Sequence, residues 1–272
     1  MPHATPPGIT TVAAVLRAAG CVFAEDEAQL LLSTARTPAE LDAMVARRAT
    51  GHPLEHVLGW ADFGGLRVAV DKGVFVPRRR TEFLVERAAA LAPRGAVVVD
   101  LCCGTGALGA ALAAALDGGV RLHAADIDPA AVRCARRNVA PLGGAVYEGD
   151  LFTALPPGLR GRVDVLLANV PYVPTAEVPL LPPEARLHEA RVALDGGADG
   201  LDVLRRVTAE AGRWLAPGGV LLFETSERQA APAMAVAEVD GLTAKAATCE
   251  DRYATIVTAT RRTIPHDRRP PA

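Results

Sequence analysis

The sequence predicts an α/β protein with a mostly parallel, doubly wound sheet, preceded by a small N-terminal helical domain and a linking β-hairpin. Three observations support this prediction. From residue 96 onward, short β-favouring runs alternate with helical segments. The first 50 residues carry apolar side chains at helical spacing, and a Gly64-Gly65 pair separates two short apolar runs. A chain of 272 residues has room for one large core and a small appendage.

Residues 1–52 are predicted to form the helical domain. Apolar residues recur at helical spacing over 9–19 and 25–35. Residues 37–40, Thr-Pro-Ala-Glu, match a capping box with proline at the first helical position, which predicts a third helix. Two interpretations stay open for this domain, namely packing against the main domain and gripping a substrate.

Residues 53–76 are predicted to form the hairpin, because Gly64-Gly65 can turn the chain between two short β-favouring runs. The main domain is predicted over 77–260, with ligand-binding residues at the carboxyl ends of its parallel strands. The basic segment 261–272 is predicted to be a disordered tail. Predicted strands span 96–101, 120–126, 145–148, 163–169, 219–224, 242–248 and 253–260.

The composition predicts a protein of the cytoplasm with no membrane partner. No apolar run approaches the roughly 20 residues that cross a bilayer, and no signal-peptide pattern opens the sequence. The net charge of −2 gives no overall attraction to nucleic acid, which disfavours nucleic acid as the substrate. The five cysteines form no CxxC pair and have no histidine cluster nearby, so they indicate reduced thiols and no metal site.

The first predicted strand of the main domain leads into a glycine-rich loop, in the segment VVVDLCCGTGALG. It ends near Asp100, and a helix is predicted to open at about Thr105. Gly104 and Gly106 allow backbone amides to approach a ligand closely. The spacing Gly104-x-Gly106-x-x-Gly109 also matches the dinucleotide fingerprint, so the loop alone does not separate NAD from other adenosine cofactors.

The next two strand ends also carry carboxylates. Asp126 is a candidate for binding two ribose hydroxyls, with Ile127 against an adenine face, whereas Asp128 precedes a proline and is predicted to cap a helix. In the segment EGDLF, Asp150 could accept a hydrogen bond from an adenine amino group, while Leu151 and Phe152 wall the ring. Carboxylates at three strand ends suit a cationic sulfonium better than a pyrophosphate, which favours S-adenosylmethionine.

The fourth strand ends in Asn169, Val170, Pro171 and Tyr172, and an accidental Asn-x-Pro-Tyr is expected in only roughly two of a thousand chains of this composition. A planar amino group is a poor nucleophile because its lone pair is delocalised. The Asn169 oxygen and the Val170 carbonyl could each accept one of its two N–H bonds and so orient the nitrogen. Pro171 would fix the backbone, and Tyr172 could stack on the planar group.

The order of the segments DLCCGTG, ADID, GDLF and NVPY resembles that of class I S-adenosylmethionine-dependent methyltransferases acting on amino nitrogens. It is most similar to the HemK/PrmC family of protein-glutamine N(5)-methyltransferases. GHPLEHVLGWADFGG, PRRRTE, ALDGGADG and LAPGGVLLFE extend the resemblance over roughly residues 25–260. The resemblance implies a seven-stranded class I domain, a helical domain that grips a protein substrate, and methylation of the Gly-Gly-Gln glutamine of peptide-chain release factors.

The resemblance also implies roles for individual residues. The implied cofactor-binding residues are Asp100, Cys102, Cys103, Gly104, Thr105, Gly106, Asp126, Ile127, Asp150, Leu151 and Asn169. Asn169, Val170, Pro171 and Tyr172 are implied to hold the glutamine amide. The sequence departs from the family at Val170 and Cys102, where proline and glycine are usual, and at the variable positions Arg79 and Arg80 of Pro-Arg-x-x-Thr-Glu. A divergent branch with its own target protein therefore stays an alternative.

Three other functions are compatible with parts of the pattern. The Asn-x-Pro-Tyr geometry would also suit a DNA or RNA adenine-N6 methyltransferase. The glycine fingerprint alone would suit an NAD-dependent oxidoreductase, and a non-catalytic cofactor-binding protein is the third possibility. Arg78, Thr81 and Glu82 are explained equally well by an ion pair at a helix start and by contact with cofactor or substrate. Asp195 and Asp199 are predicted to form turns.

Overall fold

The computed structural model describes residues 8–262, and these form an α/β protein with the predicted architecture. A seven-stranded sheet lies beside a small helical unit and a two-stranded hairpin. Of the predicted tail, Arg261 ends the last strand, and residues 263–272 lie outside the described residues, as do residues 1–7. Within the described part, no helix has both the length and the apolar character that a membrane crossing requires.

Four helices form the N-terminal unit. They are α1 (Ile9–Ala18), α2 (Ala24–Thr34), α3 (Pro38–Ala49) and α4 (Leu54–Leu58). The predicted Thr37 cap is confirmed at the start of α3, because its Oγ1 accepts the N–H of Glu40 at 3.1 Å. The Glu40 carboxylate differs from the capping box in accepting the N–H of Arg36, one residue before the cap, at 2.8 Å. Leu16 and Leu31 are fully buried in the small core that these helices share.

The hairpin is formed by β1 (Trp60–Phe63) and β2 (Leu66–Ala69) around the predicted glycine turn. Gly64 and Gly65 both have positive φ, 56° and 76°, as a tight hairpin turn requires. A Cβ on Gly64 would lie 2.6 Å from the Cβ of Ala111, so the absence of a side chain lets the turn pack directly on the main domain.

The large sheet has the strand order β5-β4-β3-β6-β7-β9-β8, in which β3 to β7 run parallel and β9 is antiparallel to both neighbours. Its strands are β3 (Val97–Leu101), β4 (Arg121–Asp126), β5 (Ala145–Glu148), β6 (Val163–Ala168), β7 (Leu215–Thr225), β8 (Leu242–Cys249) and β9 (Ala254–Arg261). β7 begins at Leu215 rather than near residue 219. Leu215 pairs with Val163, and the register then shifts before Val165. Gly219 approaches the Val163 carbonyl too closely for any side chain.

Helices cover both faces of this sheet. They are α5 (Glu82–Leu91), α6 (Ala107–Ala115), α7 (Pro129–Val139), α9 (Asp202–Trp214) and α10 (Glu227–Val239), whereas the short helix α8 (Pro183–His188) belongs to neither core. Successive strand residues enter opposite cores: Leu167 packs on the face of α5 to α7, and Leu166 on the face of α9 and α10. Because both faces are buried at the centre of the sheet, β3 and β6 are almost wholly apolar, with Asp100 and Asp164 near their ends.

Arg48 joins the N-terminal unit to the main domain. Its guanidinium donates to Glu27 of α2 at 2.6 Å and to Glu184 of α8 at 2.6 Å. The Arg48 and Glu27 side chains are about nine-tenths buried, whereas that of Glu184 is half exposed. The contact connects the helical unit to α8, which lines the cavity described below.

Candidate active site

A cavity of about 400 Å³ opens at the carboxyl ends of β3, β4, β5 and β6, and we call it the cofactor cavity. The fold brings thirteen of the fourteen predicted site residues into its wall. The predicted residues lining it are Asp100, Cys102, Cys103, Gly104, Thr105, Asp126, Ile127, Asp150, Leu151, Asn169, Val170, Pro171 and Tyr172.

Gly106 is the predicted site residue that does not line the cavity. It precedes α6 with a φ of 74°, and a Cβ on it would lie 2.8 Å from Val139 and 3.3 Å from Ala135, both on α7. The position therefore requires glycine for conformation and for helix packing. Gly106 therefore supports the loop through its close contact with α7.

The glycine loop is held by strand β4. Gly104 has a φ of 53° and donates its N–H to Oδ2 of Asp126 at 2.8 Å, while Cys103 donates to the carbonyl of Ala125 at 3.1 Å. Cys102 also has a positive φ, 53°, a conformation that costs a non-glycine residue on the order of 1–3 kcal/mol. Burial, with the nearby carboxylates, raises the pKa of the Cys102 thiol, so it stays protonated.

Asp126, at the end of β4, has both carboxylate oxygens engaged by backbone N–H groups, those of Gly104 at 2.8 Å and Asp128 at 2.9 Å. Each oxygen keeps a second lone pair, which could accept a ribose hydroxyl. Burial raises the pKa of Asp126, and the two backbone donors oppose that shift. Asp128 caps α7 as predicted, because its side chain accepts the N–H of Ala130 at 2.8 Å.

Asp100 is almost fully buried at the end of β3, with 1% of its surface exposed. Its Oδ2 accepts the N–H of Gly109 at 2.9 Å, and the position favours glycine because a Cβ there would lie 2.8 Å from Leu122 and 3.1 Å from that oxygen. Burial, reinforced by the charge of Asp126, raises the pKa of Asp100 to about 7. A cationic group in the cavity would favour its ionised form.

Asp150 and Leu151 follow β5. Asp150 forms an ion pair with Arg206 of α9 at 2.5 Å, a partner that sequence reasoning did not identify. Leu151 has a φ of 48° at the start of a 3₁₀ turn, Leu151–Ala154. Asp150 is thus oriented by Arg206, which also lines the cavity. Phe152 was predicted to wall the adenine ring as well, but it is buried against Trp214, with ring centroids 5.4 Å apart, and does not line the cavity.

Asn169 directly follows β6 and faces the cofactor cavity. Its Oδ1 is buried, and none of the residues 8–262 donates a hydrogen bond to it. A buried amide oxygen without a donor is unfavourable by roughly 1–3 kcal/mol. Asn169 therefore brings an acceptor without a protein partner to the wall of the cavity, where a ligand N–H group could satisfy it.

The residues after Asn169 are fixed by packing and hydrogen bonds. Val170 is 2% exposed and belongs to the core on the face of α9 and α10. Gly196 approaches the Pro171 carbonyl so closely that a Cβ would lie 2.6 Å from it, and Gln229 donates to the Tyr172 carbonyl at 2.9 Å. The loop that follows β6 is therefore held by neighbouring segments.

The Tyr172 side chain is fixed by two charged residues that sequence reasoning did not assign to the site. Its hydroxyl donates to Oε1 of Glu224 at 2.8 Å and accepts from Arg80 at 2.9 Å, and Arg80 donates to the same Glu224 oxygen at 2.9 Å. Burial and the Glu224 charge raise the pKa of Tyr172. The available sequence signal was a lone charge ending the apolar run GVLLFE.

The Pro-Arg-x-x-Thr-Glu segment connects several parts of the chain. Arg78 donates to both oxygens of Glu189, whose side chain is fully buried, at 2.6 and 2.8 Å. Glu82 accepts the N–H of Gly64 in the hairpin turn at 3.0 Å. Arg78 therefore forms an ion pair, one of the two roles considered for it, and its partner is a buried residue of a distant loop. Arg78 also lines the cofactor cavity.

Asp195 and Asp199 form turns, as predicted. Asp195 accepts the N–H of Gly197 at 3.1 Å, and Asp199 accepts that of Leu201 at 3.0 Å. Arginine side chains pair with both carboxylates. These contacts hold the loop that packs against Pro171 and Tyr172.

The polar groups of the cavity fit S-adenosylmethionine. Carboxylates at three strand ends suit a sulfonium and ribose hydroxyls, and the unpartnered Asn169 oxygen lies on the same wall. A methyltransferase from Pyrococcus furiosus has a similar fold, with a TM-score of 0.55 and 15% identity over 74% of this chain and 90% of that protein. Residues 65–201 match the methyltransferase small domain family.

Fold, site and family match define an S-adenosylmethionine-dependent methyltransferase of class I. Curated relatives include release factor glutamine methyltransferases, and that of Geobacter sulfurreducens is 41% identical over 71% of this chain and 68% of its own length. The chain belongs to this family, the HemK/PrmC family of release factor glutamine methyltransferases. Its membership also decides between S-adenosylmethionine and NAD as the ligand of the glycine loop.

Another relative is named for a different activity. The 4-amino-L-phenylalanine/4-methylamino-L-phenylalanine methyltransferase of Streptomyces pristinaespiralis is 37% identical over 78% of this chain and 75% of its own length. Its name gives an aromatic amine as acceptor, again a nitrogen whose lone pair is delocalised.

Proposed function

We propose that this protein methylates the side-chain amide nitrogen of a glutamine in a protein substrate, and that the substrate is a peptide-chain release factor presenting Gly-Gly-Gln. The observation that carries the proposal is the buried Oδ1 of Asn169, which has no donor within the described residues and faces the cofactor cavity. The names of the curated relatives support the choice of substrate. A release factor as substrate implies activity in the cytoplasm.

The proposed chemistry needs orientation more than it needs an acid or base. S-adenosylmethionine supplies an electrophilic methyl group on a sulfonium. Asn169 Oδ1 and the Val170 carbonyl would each accept one N–H of the glutamine amide, which aims the nitrogen and favours the positive charge that develops on it. A general base is unnecessary, because a protonated N-methyl amide is acidic enough to lose its proton to water.

The neighbouring residues support this geometry. Val170 is confined to extended conformations by the proline after it, so its β-branched side chain is compatible with the position. Arg80 and Glu224 hold the Tyr172 hydroxyl, which restricts the orientation of its ring. A ring fixed in this way can stack on the planar amide without a further loss of side-chain entropy.

Replacing Asn169 by Ala tests the proposal. The variant should bind S-adenosylhomocysteine within threefold of the parent protein, whereas kcat on a purified release factor should fall about 10²- to 10³-fold, as for loss of one oriented polar contact at a reacting centre. Ser33→Ala, an exposed change in α2, serves as the control. Turnover by Asn169→Ala equal to that of the control would refute the assigned role.

The acceptor itself is tested by comparing a Gly-Gly-Gln release factor, its Gly-Gly-Glu variant, 4-amino-L-phenylalanine and an adenine-containing DNA duplex. Mass spectrometry should place one methyl group on the glutamine of the first substrate. Methyl transfer to the free amino acid or to DNA, with the release factor unmodified, would replace the proposal with one of these alternatives.

A further inference from the structure

Beside the cofactor cavity lies an open cleft of about 530 Å³, which we call the side cavity. Arg80 and Tyr172 line both, so their side chains form the wall between the two. The residues lining the side cavity are Arg80, Tyr172, Glu224, Thr225, Ser226, Glu227, Thr248, Glu250, Tyr253 and Thr255. None of the methyl-transfer chemistry described above uses this cleft.

Glu224 gives the side cavity an unsatisfied acceptor. The residue is only 3% exposed, and its Oε1 is occupied by Arg80 and Tyr172. Its Oε2 is buried and receives no hydrogen bond from any part of the chain between residues 8 and 262. The neighbouring Thr225, 5% exposed, has a buried hydroxyl in the same state. A buried carboxylate oxygen without a hydrogen-bond donor is strongly unfavourable, so a ligand that donates a hydrogen bond to it would stabilise the site.

The charges in the wall favour a cationic donor. Glu227 and Glu250 add two carboxylates to that of Glu224, and among the described residues that line the cleft Arg80 is the one basic side chain. Arg80 already pairs with Glu224 through Oε1. A metal ion is disfavoured, because residues 8–262 contain no cluster of three or more His, Cys, Asp or Glu suited to hold one.

Tyr253 supplies an aromatic surface at the same cleft. It is 91% exposed, and it is held at a φ of 51°, a conformation that non-glycine residues rarely adopt. Phenol rings attract ammonium and guanidinium groups through the negative face of the ring. An aromatic ring among three carboxylates is a combination that suits an organic cation.

We propose that the side cavity binds an arginine or lysine side chain of the protein substrate, a few residues away from the methyl-accepting glutamine. The inference rests on the proposed function to the extent that a polypeptide occupies the cofactor cavity. The cation donates to Oε2 of Glu224 and is surrounded by Glu227, Glu250 and Tyr253. Because Tyr172 lies between the cavities and is three residues from Asn169, one extended segment can reach both.

The test uses dye-labelled peptides that contain one glutamine and one arginine, with the arginine placed at each position from three before to three after the glutamine. Matched peptides carry citrulline, which keeps the shape of arginine and removes its charge. Fluorescence anisotropy is measured with saturating S-adenosylhomocysteine. For at least one position, the arginine peptide should bind about tenfold more tightly than its citrulline counterpart, as expected for a partly buried charge pair.

The double variant Glu227→Gln, Glu250→Gln should lose most of this preference and keep its affinity for S-adenosylhomocysteine. The matched control, Glu238→Gln with Asp240→Asn, removes two carboxylates at the other end of α10 and should keep the preference. Equal binding of arginine and citrulline peptides at every position would overturn the proposal. So would a preference that survives in the Glu227/Glu250 variant, or the failure of every peptide to bind.

Methylation of the same peptides separates this inference from the proposed function. An arginine preference in binding without methyl transfer to glutamine would overturn the glutamine assignment and leave the cation site in place. Equal kcat/KM for the methylation of arginine and citrulline peptides would overturn the cation site and leave the glutamine assignment in place. A preference for a free amino acid cation over the peptides would overturn the assignment to a protein side chain.

Discussion

Gly104 donates its backbone N–H to Oδ2 of Asp126 at 2.8 Å, and this hydrogen bond joins the glycine loop after β3 to the end of β4. Asp126 therefore has two tasks. It fixes the glycine loop, whose residues line the cofactor cavity, and its remaining lone pairs could accept hydrogen bonds from a ligand in that cavity. A change at Asp126 is expected to affect both.

If Asp126 binds both ribose hydroxyls as predicted, replacing it by Ala should weaken S-adenosylhomocysteine binding by about tenfold or more, since two charge-assisted hydrogen bonds and the support of the loop are lost together. Isothermal titration calorimetry measures the change. Thr37→Ala removes a helix cap in the N-terminal unit, far along the chain from the cavity, and should cost about 1 kcal/mol of stability with binding intact. Unchanged affinity in Asp126→Ala would show that the ribose assignment is wrong.

Cys102 should tolerate glycine better than valine. Its positive φ suits glycine, whereas a β-branched side chain in this conformation is a true outlier. We expect Cys102→Gly to stay within about 1 kcal/mol of the parent protein and Cys102→Val to lose about 2 kcal/mol or more. Urea unfolding measures both, and Cys249→Val, in strand β8, is the control. If Cys102→Val were more stable than Cys102→Gly, the argument from the positive φ would be contradicted.

The raised pKa of Asp100 predicts that cofactor binding depends on pH. Burial raises its pKa to about 7, so the folded protein holds a proton there below that pH. A sulfonium cation favours the ionised form, and therefore affinity for S-adenosylmethionine should rise as the pH increases through 7, by at most about tenfold between pH 6 and pH 8.

S-adenosylhomocysteine, which has a neutral sulfur, serves as the ligand control and should show a smaller rise. Calorimetry in buffers of different ionisation enthalpy counts the protons released on binding, and Asp100→Asn should abolish that release. Equal pH profiles for the two ligands would argue against a role for Asp100 in sensing the charge of the cofactor.

The contact between the N-terminal unit and the main domain depends on Arg48. Arg48→Met leaves the buried Glu27 without its partner and should lower the free energy of unfolding by about 3 kcal/mol. Arg17 forms an ion pair with Glu25 in which both side chains are more than half exposed, so Arg17→Met is the matched control and should have little effect. If both variants lost a similar free energy of unfolding, burial would not make the Arg48–Glu27 pair more stabilising than the Arg17–Glu25 pair.

The sequence predicted the parts of the site that are local in the chain. A polar residue at the end of an apolar strand marks the carboxyl edge of a parallel sheet, and Asp126 and Asn169 were found in this way. Arg80, Glu189 and Arg206 were missed as partners because each bonds to a residue at least 56 positions away in the chain. Which distant loops meet depends on strand order and helix packing, and hydrophobic periodicity does not specify those contacts.

Two further features of the site were not predicted from the sequence. The sequence shows that Cys102 replaces a family glycine, but the left-handed conformation at that position is visible only in the backbone. Tyr172 was expected to act through its ring alone. Its hydroxyl is fixed by Arg80 and Glu224, which come from segments before and after the central strands.

The wall shared by the two cavities also suggests a route to selective inhibitors. Arg80 and Tyr172 have one side toward the cofactor cavity and the other toward the side cavity. A bisubstrate compound that links an adenosine moiety through a short spacer to an alkylguanidine could occupy both compartments at once. Its second anchor would gain from the effective concentration that the spacer imposes. Such a compound would discriminate against methyltransferases that share only the adenosine pocket.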